Sequence, residues 1–177
     1  QPKGLTKRAS VGRPVILSSD PSDGDLTEVI QASYRQLLNR APLAAERLGD
    51  SESQLRNGTL SVAEFVERIA LSDLFQQRLQ RMAPLRAASA AYLALLGRAA
   101  QPAEVSRFLG LRSSRGQIAA LEDILASSDY AASFGRDTVP YLRGLNTSDG
   151  QPLSTVNRTA QLYGGNAALN PPLRDPI

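Results

Sequence analysis

The 177-residue chain contains no cysteine, no histidine and no tryptophan, and these absences exclude more chemistry than any single motif offers. Without cysteine there is no disulfide, no thiolate nucleophile, no haem thioether and no thiolate-bound metal. Without histidine there is no imidazole base and none of the usual zinc or non-haem iron ligation. Aromatic residues are sparse, at five Tyr and four Phe. Lysine is nearly missing: of 20 cationic residues, all but Lys3 and Lys7 are arginine. No stretch approaches the ~18 consecutive apolar residues of a membrane-spanning helix, and no secretory apolar region opens the chain. A start at Gln1-Pro2-Lys3, with no Met, reads as a piece processed or excised from a longer product.

What is present is a pattern that occurs twice. IQASYRQLLNRAPLAAERL, residues 30–48, returns in thinner form as ASAAYLALLGRAAQPAEV, residues 88–105, with Tyr34, Leu37, Leu38 and Arg40 matched 58 positions later by Tyr92, Leu95, Leu96 and Arg98. FVERIALSDLF, residues 65–75, has its own echo in LEDILASSDYA, residues 121–131, at an offset of 56. Two segments repeated in the same order predict a duplicated helical unit. The fold class is therefore all-α: a compact multi-helix domain over 25–144 with a degenerate internal duplication. A basic, flexible arm over 1–24 and an extended tail over 145–177 flank it.

Ser22 or Asp23 is placed to cap a first helix whose apolar residues Leu26, Val29, Ile30, Leu37 and Leu38 recur at intervals of three and four. Pro42 ends it. A second helix is predicted over Ala44–Arg56, closed by Asn57-Gly58, and a third after Ser61, with Glu64 in a capping-box position. Ser72-Asp73 caps a short fourth helix through Leu79. A fifth covers Leu85–Leu96, with Gly97 suited to a left-handed cap, and Pro102 opens a sixth. Ile118, Leu121, Ile124 and Leu125 make a further amphipathic helix, and Ser127-Ser128-Asp129-Tyr130 caps one more turn. Val15-Ile16-Leu17 is an apolar triplet in the arm, suited to a neighbour's groove or to folding back on its own domain.

Catalytic machinery is hard to assemble from this inventory. Glu64, Glu67 and Asp73 are the only central carboxylates worth testing as an acid–base set, and they read as the solvated side of an amphipathic helix. Serines have no histidine companion, and both lysines fall in the arm. Gly110–Gly116 has Gly, Ser and Arg but no phosphate-loop spacing, and reads as a surface connection between helices. The chain is not expected to be an enzyme. Between Leu79 and Ala120, Arg81, Arg86, Arg98, Arg107, Arg112 and Arg115 face only Glu104, which predicts a cationic binding face. Arginine favours planar two-point contact with carboxylate or phosphate. A net charge of only +3 and few aromatics argue against nucleic acid as the partner.

Several motifs taken in order carry a specific resemblance. VIQASYRQLLNR (29–40), ESQLRNGTLSVAEFVERIALSDLFQQRL (52–79), YLALLGRA (92–99), SSDYAASFGRDTVPYLRG (127–144) and NRTAQLYGG (157–165) resemble the conserved linker domain of phycobilisome linker polypeptides. The resemblance spans about residues 25–144, more weakly the tail. It implies an all-helical, non-enzymatic linker that docks in the central opening of phycobiliprotein trimers or hexamers. Such a linker joins discs into rods or to the core and tunes bilins for directional energy transfer.

The implied partners are phycocyanin, phycoerythrin or allophycocyanin, together with other linkers. The implied location is peripheral, on the cytoplasmic side of a photosynthetic membrane, with no nucleic acid bound and no membrane insertion. Lacking cysteine, the chain has no covalent cofactor of its own, and bilins belong to the partners. Tyr34, Ser72, Asp73, Phe75, Tyr130, Phe134, Pro140 and Tyr141 match the motifs, with Tyr34, Phe75 and Phe134 expected to pack in the core. The partner-binding set is Arg35, Arg40, Arg81, Arg98, Arg107, Arg112 and Arg143. The alanine-diluted second unit leaves the identity of the docked disc open, and the missing ends allow a domain of a rod, rod-core or core-membrane linker. The competing readings are a helical adhesion or surface-layer module and, less well supported, a nucleic-acid-binding domain.

Overall fold

Serine, proline and left-handed caps cut the chain into short helices, and the computed structural model describes residues 14–143 of it. Helix α1 spans Asp23–Leu38, α2 Gly49–Arg56, α3 Val62–Ala70, α4 Asp73–Gln80, α5 Pro84–Leu96, α6 Pro102–Arg115, α7 Gln117–Leu125 and α8 Ser128–Ser133, with a 3₁₀ turn at Ala44–Glu46. The all-α expectation holds. The arm's residues 1–13 and the predicted tail lie outside the described residues.

Each boundary has a local cause. Ser22 caps α1 through a reciprocal pair: its Oγ accepts from Asp25 N–H at 3.1 Å and its own N–H donates to Asp25 Oδ2 at 2.9 Å. Ser61 caps α3, but Glu64 accepts the Ser61 hydroxyl rather than its backbone N–H, so the predicted box closes differently. Helices α5 and α6 lack side-chain caps and begin instead at Pro84 and Pro102, where the missing N–H costs nothing. The left-handed Asn39 ends α1 and the left-handed Gly97 ends α5.

Three expectations change. The helix predicted over Ala44–Arg56 is broken at Arg47-Leu48, because Leu48 N–H donates to the Tyr34 hydroxyl at 2.8 Å instead of continuing a helical ladder. The Gly110–Gly116 stretch is not a connection: α6 runs helically through it to Arg115, and Gly116 alone separates α6 from α7. The offset of the later echo is 55 rather than 56. Ser127, not Ser128, repeats the role of Ser72, each accepting from the N–H three residues on and donating to the carbonyl three residues back at 2.6 Å. The matched Ser-Asp dipeptides suggested 56, yet hydrogen-bond geometry selects the register.

With that register the duplication is plain. Helices α5, α7 and α8 repeat α1, α3 and α4, while the stretch between is three residues shorter in the second unit and straightens into the single helix α6. One core serves both units, running from Leu26, Tyr34 and Phe65 through Phe75 and Leu95 to Leu121, Phe134 and Val139. The Gln36 amide ties α1 to α5 by donating to the carbonyls of Leu93 and Ala94 at 3.3 and 2.9 Å. Val15-Ile16-Leu17 folds back: Ile16 pairs with Thr138 in an isolated antiparallel bridge, flanked by Leu17 N–H to Asp137 at 2.8 Å and Val139 N–H to Val15 at 2.9 Å. That pairing packs the last extended segment against the end of α5, where Arg143 N–H donates to the Gly97 carbonyl at 2.8 Å.

Candidate docking surface

The duplication is carried into the arginines. Arg40 follows the left-handed Asn39 and grips Glu46 with two hydrogen bonds at 2.6 and 2.8 Å; Arg98 follows the left-handed Gly97 and grips Glu104 at 3.0 and 3.1 Å. In both units the clamp also donates to the carbonyl of the next residue, Ala41 or Ala99, at 3.1 Å. An arginine six residues before a glutamate, just past a left-handed cap, is the shared device. This spacing is visible in the sequence as Arg40 with Glu46 and Arg98 with Glu104. The Arg40 hydrogen bonds, helped by Leu43 N–H, pull Glu46 down to about 2.

The second clamp is built into a larger network. Arg98 Nε also donates to Asp129 at 2.9 Å, and Arg143 reaches the same carboxylate at 2.9 Å while its Nε donates to the Leu96 carbonyl at 2.7 Å. Burial opposes ionisation of Asp129, but the hydrogen bonds from Arg98, Arg143 and Ser133 outweigh it and hold the carboxyl below its ordinary range. The Arg143 guanidinium lies over the Phe134 ring at 5.3 Å, and Arg98 over Tyr92 at 5.8 Å. Arg107 forms a two-point pair with Asp123 at 2.7 and 2.8 Å.

The seven arginines of the expected partner set differ in what they already bind. Arg40, Arg98, Arg107 and Arg143 bond to carboxylates of their own chain. Arg35, on the exposed side of α1, lines a groove of about 620 Å³ with Arg40, Val15, Val139 and Leu142. Arg81 is exposed at the end of α4, and Arg112 is half-buried in the last turn of α6. Part of the local charge excess disappears because Asp123 and Asp129, outside the 79–120 window, come back to it in space. Among the described residues, Arg81, Arg112 and Arg115 have no such carboxylate.

The aromatic residues are largely spent on packing. Tyr34, Phe75 and Phe134 lie in the core as expected, and so do Phe65, Tyr92, Phe108 and Tyr130. Tyr34 stands edge-on to Phe65, and its hydroxyl donates to Glu52 at 3.3 Å while accepting from Leu48; burial pushes its phenol up to about 12. Tyr141 is the one described aromatic that is only half-buried. Ile118, expected on the core side of its helix, is 48% exposed, and Leu85 is 66% exposed. No group of three or more acidic residues suited to a metal occurs among the described residues, nor is any described helix long and apolar enough to cross a membrane.

Fold and surface together define an all-helical scaffold module with arginine-based polar contacts and a duplicated clamp. The model of the phycobilisome linker polypeptide family matches residues 21–143, which takes in the eight helices of the described residues. The chain belongs to that family, whose members are linkers and not enzymes. It is 36% identical over 165 residues to the 32.1 kDa phycocyanin-associated rod linker polypeptide of Mastigocladus laminosus, covering 92% of this chain and 58% of that protein. It is equally 36% identical over 160 residues to the 27.9 kDa phycoerythrin-associated rod linker of Microchaete diplosiphon, covering 88% of this chain and 64% of that one. A third relative is the phycobiliprotein ApcE of a Synechococcus species, 34% identical over 148 residues, 81% of this chain and 21% of that protein. The chain thus spans a little over half the length of the rod linkers it matches.

Proposed function

We propose that this chain is the docking domain of a phycobilisome rod linker, seated in the central opening of a phycobiliprotein trimer or hexamer and joining discs into a rod. The observation that carries the reading is the similarity across both helical units to rod linkers named for association with phycocyanin and with phycoerythrin. The expected ligands are disc proteins with carboxylate-rich inner surfaces, because guanidinium forks pair with carboxylates in two-point geometry. Within the set Arg35, Arg40, Arg81, Arg98, Arg107, Arg112 and Arg143, direct contacts fall to Arg35, Arg81 and Arg112. Arg40, Arg98, Arg107 and Arg143 shape the surface through their internal pairs.

Bilins remain on the partner, and the chain adjusts their surroundings without holding one. From residues 14–143 that adjustment runs through aliphatic and arginine side chains and through Tyr141, since the other described aromatics are buried. The place of the assembly is the phycobilisome, peripheral to the photosynthetic membrane on its cytoplasmic side. Family membership is not explained by an adhesion module or a nucleic-acid-binding domain, and neither has an observation in its favour.

The test is sedimentation of the full chain mixed with purified phycocyanin trimers, followed at bilin absorbance over a series of salt concentrations. A faster coloured species with a displaced bilin spectrum is expected, weakening as salt rises. Unchanged trimers at every salt, for phycocyanin, phycoerythrin and allophycocyanin alike, would sink the reading.

A further inference from the structure

We propose that the end of the second unit where α4, α5, α6 and α7 meet is the main docking face, with Arg35 a separate contact, and that it receives an acidic protein surface bearing an apolar ridge. Its contacts are Arg81, Arg112, Arg115, Leu85 and Ile118. The inference rests on the linker reading for the identity of that surface, which is then a phycobiliprotein's.

The topology gathers these residues. Gly116 is both the end of α6 and the start of α7, so Arg112, Arg115 and Ile118 flank one turn. The Gln117 amide donates to the carbonyl and side chain of Gln76 at 3.0 and 2.7 Å, fastening the start of α7 to α4. Arg81 ends α4 five residues later, about 7.5 Å along the axis, and Leu85 lies in the opening turn of α5. Helix α6, fourteen residues against thirteen in α5, packs on α5 after the short connection at 97–101.

Two kinds of group are left unsatisfied at this end. Leu85 and Ile118 are 66% and 48% exposed, against a core that takes up nearly every other large aliphatic side chain of these helices. The three guanidiniums have no carboxylate among the described residues, and none is near in sequence: residues 74–103 and 105–121 contain no Asp or Glu. Elsewhere Arg40, Arg47, Arg56, Arg98, Arg107 and Arg143 are each matched by an acid, while Arg35, Arg68 and Arg136 are exposed without one among the described residues. Complementing two helix C-termini accounts for cations at Arg81, Arg112 and Arg115 but not for the bare aliphatics beside them. Arginine forks around exposed leucine and isoleucine are the composition of a protein interface. A nucleic-acid backbone would satisfy the charges and leave the aliphatics in water.

The experiment compares full-length chains in the phycocyanin sedimentation assay, with circular dichroism to verify folding. Replacing Arg81, Arg112 and Arg115 together by Glu is expected to weaken binding about tenfold or more and to flatten its salt dependence; replacement by Gln gives a smaller loss in the same direction. The pair Leu85→Ser and Ile118→Ser is expected to weaken binding about tenfold while preserving the salt slope. Arg68→Glu with Arg136→Glu, exposed on other parts of the surface, is expected to stay within about twofold. Wild-type binding with the Gln and Ser variants all within about twofold of it overturns this face and leaves the linker reading intact. Absence of wild-type binding to phycocyanin, phycoerythrin and allophycocyanin alike overturns both.

Discussion

Two tyrosines at buried positions have opposite standing. The Tyr34 hydroxyl has a donor in Leu48 N–H and an acceptor in Glu52, whereas the Tyr130 hydroxyl is buried with no partner among the described residues. Tyr130→Phe is expected to leave stability unchanged or raise it by up to ~1 kcal/mol, while Tyr34→Phe costs ~1–2 kcal/mol; urea denaturation of both variants checks the contrast. Glu46 offers a pH-based test. Its folded-state value of about 2 lies below the ordinary 4.5, so its contribution to stability is complete above pH 4.5 and lost as pH falls toward 2. Asp123, held down by the Arg107 hydrogen bonds, and Asp129 add in the same direction. Melting temperature recorded from pH 6 to 2 is expected to fall through this window, and Arg40→Gln to remove the part belonging to Glu46. An equal slope in the variant would show that the clamp does not set the Glu46 titration.

At the scale of elements, the caps decide more than helix propensity does. Ser22, Ser61, Ser72, Gly97, Pro102 and Ser127 were all readable as boundaries, because each satisfies or removes an orphan backbone group through chemistry local to a few residues. The break at Arg47-Leu48 was not readable, since the competing hydrogen bond comes from Tyr34, on another helix. The 55-residue register was obscured for a related reason: identical Ser-Asp pairs mark different positions on α4 and α8. Gly97 has a twofold demand on it. Its φ is +68°, and a Cβ there would lie 1.8 Å from the Tyr141 carbonyl oxygen. Gly97→Ala is expected to cost about 3 kcal/mol, seen as a lowered denaturation midpoint and loss of protection at the Arg143 amide. A stability within ~0.5 kcal/mol of wild type would mean that the 141–143 segment is not held as described.

At the scale of the whole fold, the described residues form two similar units sharing a single core. Helix α1 packs on α5 and α3 on α7, so neither unit buries its apolar faces by itself. Denaturation is expected to show one transition by circular dichroism and tyrosine fluorescence together, and a fragment ending at Met82 to lack stable helix. Two separated transitions would make the units independent domains. The all-helical class and the duplication were legible in the spacing of Tyr, Leu and Arg, as was the family resemblance in the ordered motifs. The candidate surface was legible only in part. Arg81 and Arg112 stood in the basic stretch from the start, but Arg98, Arg107 and Arg143 looked equally available until Asp123 and Asp129 came beside them.

By itself, the sequence determined what depends on neighbours along the chain: helix limits, the repeat, the exclusion of thiol and imidazole chemistry, and the abundance of guanidinium groups. Tertiary structure alone decided which guanidiniums are satisfied internally and which aliphatics remain bare. Coulombic pairing and burial act through space, and residues 14 to 47 positions apart, such as Arg98 with Asp129 and Arg143 with Leu96, meet only once the helices have packed.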